Sequence, residues 1–166
     1  MIIRSYGWVP DRPDQRDYLY KAIRPVVRLP KKVDLREFCS VVENQESLGS
    51  CTANALAGNL EYLDKKGVLD SAKYSSSEVE KHILPRSNNI ALEYTDVSRL
   101  FIYYNERVLE DTVDYDSGAS LRDGIKTLRK QGACWEKTWP YLIEKFTRKP
   151  PVKCYREAKK HCIESY

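Results

Sequence analysis

The sequence of 166 residues predicts an α+β fold made mainly of helices that pack as one lobe. Three stretches carry apolar residues at helical spacing, and they begin near positions 51, 98 and 120. The last five residues, 162–166, alternate in the way that is typical of the start of a strand. We therefore expect a helical lobe whose chain enters a strand at its end, and we expect that strand to continue beyond residue 166.

The first predicted helix covers residues 51–66. Ser50 is the predicted N-cap, because a serine hydroxyl bonds well to the free amide groups of a first turn. The C-terminal stop is expected at Lys65-Lys66-Gly67. The apolar residues of this stretch are spaced to form one buried face: Ala53, Leu56, Ala57, Leu60 and Leu63.

The second helix is predicted to begin after Ser98, and the third near Ser120, where Asp123 gives a weak capping-box pattern. Gly132 is expected to end the third helix, and a short helix is expected at 77–83. The predicted inner faces are Leu100, Phe101, Tyr104, Val108 and Leu109 in the second helix, and Leu121, Ile125 and Leu128 in the third.

One cysteine, Cys51, falls in the first turn of the first predicted helix. The positive end of the helix dipole favours a thiolate there, and a thiolate is the nucleophile needed for covalent attack on a carbonyl. The oxyanion formed by that attack needs hydrogen-bond donors, which the Cys51 backbone N–H and the side-chain amide of Gln45 would supply. The alternative is that Cys51 is a small buried hydrophobic residue.

The stretch Leu48-Gly49-Ser50-Cys51-Thr52 resembles the C-G-[SA]-C-[WY] motif of papain-like cysteine peptidases, with Leu48 and Thr52 as departures. Three flanking segments occur in the order of that family. Residues 29–36 are similar to its "P-x-x-V-D-W-R" opening, 116–119 to its glycine-rich substrate strip, and 139–141 to its "Y-P-Y" turn. The resemblance covers residues 29 to 166 and implies a papain-like fold, mainly its helical left lobe, with the right β-barrel lobe missing.

The resemblance implies a cysteine-type peptidase that works by acyl transfer. Cys51 would be the nucleophile and Gln45 the side chain of the oxyanion hole. Gly118 and Ala119 would pair with extended substrate, and Leu121 would form part of the wall of an apolar specificity pocket. The alternatives are that Gln45 is an exposed polar residue of a loop and that Gly118 is a turn glycine.

The general base of the family is a histidine, expected about 130–150 residues after the cysteine. That window opens beyond residue 166, and the two histidines of this chain, His82 and His161, are expected at the surface. We therefore expect an incomplete enzyme, completed by a missing C-terminal lobe or by a complementary chain. The alternative is a non-catalytic peptide-binding or regulatory module that holds extended peptide by β-pairing.

The composition limits which other classes of function are expected. A net charge of +4 is mildly basic, and the Lys- and Arg-rich run at 145–160 is interpreted as a solvated face. The five cysteines lack the spacing of a zinc site. We expect no cofactor, no metal, no nucleic acid and no membrane, with a peptide or protein as the substrate.

Residues 1–30 are predicted to be a leader of extended chain, in the position of a short pro-segment, and 31–166 the N-terminal part of the peptidase domain. The leader lacks the apolar segment of a secretory signal. Leu48 stands where secreted members of the family carry a disulfide cysteine. Both observations predict a cytoplasmic or other reducing compartment.

Overall fold

The computed structural model describes residues 7–17, 28, 30–70 and 95–163. Its helices are α1 (Cys51–Asp70), α2 (Arg99–Glu110), α3 (Leu121–Gln131) and α4 (Val152–Ala158), with short 3-10 turns at Arg36–Phe38 and Ile143–Lys145. Pairing between extended segments in these ranges consists of two isolated bridges, Trp8 with Ala119 and Val97 with Trp135. The predicted helical lobe is confirmed.

Three sequence predictions fall wholly or partly outside the described residues, and one of them is the leader at 1–30, of which 1–6, 18–27 and 29 lie outside. The short helix at 77–83, which includes His82, lies outside them, as does the 164–166 part of the predicted terminal strand. Cys162 and Ile163 are described and are not in a strand. Among the helices of the described ranges, none has the length and apolar character needed to cross a bilayer.

Helix α1 begins at Cys51, as predicted, but it ends later than predicted. It continues through Gly67 to Asp70. A glycine inside a helix costs only about 1 kcal/mol relative to alanine, so Gly67 weakens the last turns without ending them. The buried face is confirmed at its N-terminal half, at Ala53, Leu56 and Ala57, whereas Leu63 is 53% exposed.

Ser50 occupies the cap position of α1 in a different way from the one predicted. Its carbonyl accepts the first helical hydrogen bond from the Asn54 amide at 3.0 Å. Its hydroxyl lies 2.5 Å from the Tyr141 hydroxyl and accepts from the Asn54 side chain at 3.1 Å. The Ser50 side chain therefore ties the start of α1 to a distant segment, residues 139–141.

Helix α2 begins as predicted, since the Ser98 hydroxyl accepts a hydrogen bond from the Phe101 amide. Its predicted apolar face is wrong in the last turn, where Val108 and Leu109 are exposed. The helix is instead buried all round its first half, at Leu100, Phe101, Ile102 and Tyr103. It lies between two hydrophobic clusters, so residues on opposite sides of α2 are both covered.

Helix α3 begins at the Ser120 cap, whose hydroxyl accepts from the Asp123 amide. The reciprocal bond of a capping box is made by another residue, because the Ser120 amide donates to Glu110 Oε1 at 2.7 Å. Gly132 ends the helix with φ of +75°, and a Cβ there would lie 1.9 Å from the Ala158 carbonyl oxygen. The stop at Gly132 is thus fixed by close contact with the end of α4.

The main core lies where α1, α2 and α3 pack against one another. Leu128 of α3 is buried in it, and Leu121 and Ile125 are partly buried against it. A second cluster fills the space between α2 and α4, with Phe101, Cys134, Cys154 and Ala158. All five cysteines are free thiols, and those of Cys134 and Cys154 are buried.

A buried carboxyl group lies between α1, α2 and α3. Glu106 is fully buried, and its Oε2 accepts a hydrogen bond from the Thr52 hydroxyl at 2.9 Å. A Cβ on Gly124 would lie 2.3 Å from Glu106 Oε1, so α3 approaches this side chain through a glycine. Burial raises the pKa of Glu106 to about 8, and the carboxyl is mostly neutral at pH 7.

The raised pKa predicts how stability changes with pH. Because the folded pKa is about 8 and the ordinary value 4.5, the folded state binds the extra proton between these values. The free energy of unfolding therefore falls as pH rises through this window, by up to roughly 1.4 kcal/mol per pH unit. Glu106→Gln should remove that slope. Urea unfolding should therefore show that the free energy of unfolding of the variant, relative to that of the wild type, is higher at pH 8.5 than at pH 5.

Glu144→Gln, at an exposed glutamate, is the matched control and should keep the wild-type pH dependence. Equal pH dependence in Glu106→Gln and the wild type would contradict the neutral buried carboxyl.

Candidate active site

The Cys51 thiol lies at the first residue of α1 and is half-buried. Burial raises the pKa of the Cys51 thiol, hydrogen bonding to the Thr52 amide lowers it, and Glu106 raises it once that carboxyl has ionised. The pKa of the thiol is therefore raised overall in this chain, although the helix terminus was expected to favour a thiolate. The helix amides act in the predicted direction, but burial outweighs them.

Gln45 lies in the nucleophile loop, defined as residues 44–50, which leads into α1. Its side-chain amide donates to the Leu48 carbonyl at 2.8 Å, and its backbone carbonyl accepts from the Tyr141 hydroxyl at 2.9 Å. A primary amide has two hydrogens, and the Leu48 bond uses one of them. The loop therefore places Gln45 by its own internal bond and by the contact with Tyr141.

Tyr141 holds the nucleophile loop from outside, and sequence reasoning assigned it no role beyond marking a turn. Its hydroxyl contacts both Gln45, near the start of the loop, and Ser50, at its end. The Arg99 guanidinium lies over its ring, 4.1 Å from the centroid. Since these partners come from distant parts of the chain, only the folded structure shows the contact.

The predicted substrate strip, Gly118 and Ala119, is paired with the leader. The Ala119 amide donates to the Gly7 carbonyl at 2.8 Å, and the Val9 amide donates to the Ala119 carbonyl at 3.0 Å. The bridge between Trp8 and Ala119 is parallel. Backbone at the strip thus holds an extended segment of the leader by two hydrogen bonds.

Three glycines meet where the leader, the nucleophile loop and the strip converge. A Cβ on Gly7 would lie 1.9 Å from the Gly49 carbonyl oxygen, and one on Gly118 would lie 1.9 Å from the Gly7 carbonyl oxygen. Gly7 and Gly118 both have φ of +72°, a conformation that other residues rarely adopt. No larger residue fits at Gly7 without moving the leader. Sequence reasoning missed this residue, because a single glycine near a terminus carries no local signal.

The leader is also anchored at the start of α3. The Arg122 amide donates to Asp11 Oδ1 at 2.9 Å. The Arg122 guanidinium donates to both carboxylate oxygens of Asp17, at 2.9 and 2.7 Å. The leader is therefore held both at Gly49 of the nucleophile loop and beyond the strip, at Arg122.

Leu121 and His161 are two further described residues whose position was predicted from the sequence. Leu121, the first residue of α3, is partly buried against the main core, two residues after Ala119. His161 is exposed, as predicted, and its ring lies 5.8 Å from that of Trp135.

Three carboxylates, those of Glu43, Glu61 and Asp96, lie within 4.8 Å of one another. A cationic side chain already lies among them, because Arg99 Nε is 2.8 Å from Glu43 Oε2. The Val97 amide donates to Glu61 at 3.0 Å. These partners account for the cluster as part of the protein's own ion-pair network.

Comparison with known proteins places this geometry in a family. No family model matches the chain. A curated relative, the uncharacterized peptidase C1-like protein L477 of Acanthamoeba polyphaga mimivirus, is 37% identical over 175 residues, which cover 95% of this chain and 49% of that protein. The chain thus spans about half the length of this relative.

A solved structure, that of xylellain, a cysteine protease from Xylella fastidiosa, matches with a TM-score of 0.68 and 37% identity. The match covers 96% of this chain and 56% of that one, and the described residues correspond to the helical left lobe of the fold. By sequence and by fold, the chain belongs to the papain-like cysteine peptidase family.

Proposed function

We propose that this chain supplies the nucleophile-bearing lobe of a cysteine peptidase, with Cys51 as the nucleophile. The observation that carries the proposal is the position of the thiol at the N-terminus of α1, one loop away from a strip that already binds extended backbone. A peptide lying along Ala119 in place of the leader would bring a carbonyl group towards this end of the helix. The substrate class is therefore an extended peptide or an extended segment of a protein.

The reaction is acyl transfer. Cys51 Sγ attacks the peptide carbonyl carbon, the C–S bond forms, and the C–N bond breaks after a proton reaches the leaving amine. The Cys51 N–H and the second amide hydrogen of Gln45 stabilise the oxyanion. Water then attacks the thioester, and the thiol is released with the carboxylic acid.

The proton transfers require a base, which we propose is a histidine from polypeptide outside residues 1–166. The raised pKa of Cys51 supports this requirement, since the thiol stays neutral without a nearby imidazolium. A C-terminal lobe or a complementary chain would supply the histidine and the opposite wall of the cleft. Leu121 would form part of the wall of the specificity pocket on this side.

The leader is proposed to act as a short pro-segment. Gly7 and Val9 use the two hydrogen-bonding groups of Ala119 that a substrate would need. Extended peptide and leader therefore compete for the same strip. The alternative function, a non-catalytic peptide-binding module, uses this strip as well and differs only in the role of Cys51.

Measurements of peptide hydrolysis distinguish the peptidase lobe from the non-catalytic module. The 166-residue chain should hydrolyse peptides at no more than a trace rate, because general acid–base steps are typically worth about 10²–10⁴-fold. Fusing the C-terminal half of the mimivirus relative after residue 163 should restore turnover, measured with a fluorogenic peptide.

In the fused protein Cys51→Ala should abolish turnover, whereas Cys39→Ala, at an exposed cysteine, should leave it unchanged. Peptide binding with no turnover in any fused protein would favour the non-catalytic module. Robust Cys51-dependent turnover by residues 1–166 alone would show that His82 or His161 is the base.

Displacement of the leader tests its role as a pro-segment. Gly7→Ala should expel it, because the new Cβ would meet the Gly49 backbone at 1.9 Å. Two backbone hydrogen bonds at about 1 kcal/mol each would be lost, so Cys51 should react with iodoacetamide up to about thirtyfold faster. Site-resolved mass spectrometry measures this rate.

Gly58→Ala is the matched control, since a Cβ at Gly58 has no neighbour within 4 Å. The buried thiols of Cys134 and Cys154 should stay slow in both variants. An unchanged Cys51 rate in Gly7→Ala would show that the leader does not shield the site.

A further inference from the structure

We propose that Tyr103 and Asp116 are positioning residues that fix the distance between the nucleophile loop and the substrate strip. We name this pair the Tyr103–Asp116 bracket. The inference rests on the proposed function, since it assumes that these two backbone segments hold the nucleophile and the peptide. Asp116 begins the segment that resembles the substrate strip, but neither residue was predicted from the sequence to have a positioning role.

Asp116 forms the side of the bracket that faces the nucleophile loop. Its Oδ1 and Oδ2 accept from the Gly49 amide at 3.0 and 2.9 Å. The donor lies two residues before Cys51, and the acceptor lies two residues before Gly118. A carboxylate that accepts a backbone N–H makes a stronger bond than a neutral acceptor does. One side chain therefore links two segments that are far apart in the sequence.

Tyr103 forms the side that faces the strip. Its hydroxyl donates to Asp116 Oδ1 in a short hydrogen bond and accepts from the Gly118 amide at 3.1 Å. The side chain is fully buried in α2. Burial and the Asp116 carboxylate both raise the pKa of Tyr103, so the hydroxyl keeps its proton and remains a donor to Asp116.

Arg107 holds the loop that carries Asp116. Its Nη1 donates to the Val113 and Tyr115 carbonyls at 2.9 and 3.1 Å, and its guanidinium stacks on the Tyr103 ring, 4.1 Å from the centroid. The guanidinium is fully buried, and its bonds leave the loop little freedom. Both residues of the bracket are thus supported by the same turn of α2.

The consequence is a gap of fixed width between Gly49 and Gly118, into which Gly7 fits. Asp116 acts on the gap through backbone groups, and so it positions the site without being a catalytic residue. A loosened bracket should weaken the binding of extended backbone at Ala119 even where the fold is intact.

Amide hydrogen exchange in the full chain, followed by NMR, tests the bracket. Asp116→Ala should speed exchange of the Gly49 amide by about tenfold to a hundredfold, the loss expected for a bond to a charged acceptor. Asp116→Asn keeps one carbonyl oxygen and should give a smaller increase. Asp114→Asn, at an exposed carboxylate two residues away, is the matched control and should leave Gly49 unchanged.

Tyr103→Phe tests whether the two residues of the bracket act together. If Tyr103 had a purely local role, its loss would leave the exchange rate of the Gly49 amide unchanged. The Tyr103 hydroxyl bonds to Gly118 and Asp116, so faster exchange at Gly49 would have to pass through Asp116. We expect faster exchange at Gly118, Gly49 and also Val9, whose amide pairs with Ala119. Tyr115→Phe, at a tyrosine that is 59% exposed, is the control.

Urea unfolding of every variant separates local loosening from global instability, and if Asp116→Ala fails to fold, Asp116→Asn and Tyr103→Phe still decide the question. Unchanged exchange at Gly49 and Val9 in a folded Tyr103→Phe chain would overturn the bracket. This readout needs no peptide hydrolysis, so a bracket that fails is distinguishable from a peptidase assignment that fails.

Discussion

The geometry of the site depends on the buried guanidinium of Arg107. Besides the two loop carbonyls, it donates to the Phe146 carbonyl at 2.5 Å and to the Tyr103 carbonyl at 3.3 Å. A guanidinium carries five N–H donors in a fixed plane, so one side chain satisfies four backbone carbonyls from three segments. Burial lowers the pKa of Arg107, but these bonds and the flanking rings compensate the charge. The loop that leads to Gly118 takes its shape from this contact.

The chemistry of the site follows from what surrounds the Cys51 thiol. The helix terminus offers N–H donors, but burial of the thiol and the Glu106 carboxyl beneath it act in the opposite direction. The lobe therefore presents a largely neutral thiol next to a strip that is occupied by its own leader. Under the proposed function, the Cys51 thiol attacks a peptide efficiently only after two changes, which are the removal of the leader and the arrival of an imidazole. Both changes belong to the proposed function.

The sequence predicts those features that depend on nearby residues. The starts of α2 and α3 follow from Ser98 and Ser120, because a cap acts within one turn. The buried face of α2 could not be predicted, since a second cluster around Cys154 covers its other side. The pKa of Cys51 depends on burial and on Glu106, which is 55 residues away in the chain. Gly7, Tyr103 and Asp116 acquire their roles only where distant backbones meet, so no local pattern marks them.

We propose above all that Cys51 is a nucleophile placed to attack an extended peptide. A direct test is site-resolved mass spectrometry of the full chain carrying Gly7→Ala, which frees the strip from the leader. This chain is treated with a peptide that carries a C-terminal electrophile, and the same electrophile without a peptide is the reference. We expect the peptide to increase the labelling of Cys51 and to leave that of the exposed Cys39 and Cys162 unchanged. Equal labelling of Cys51 with and without the peptide would contradict it.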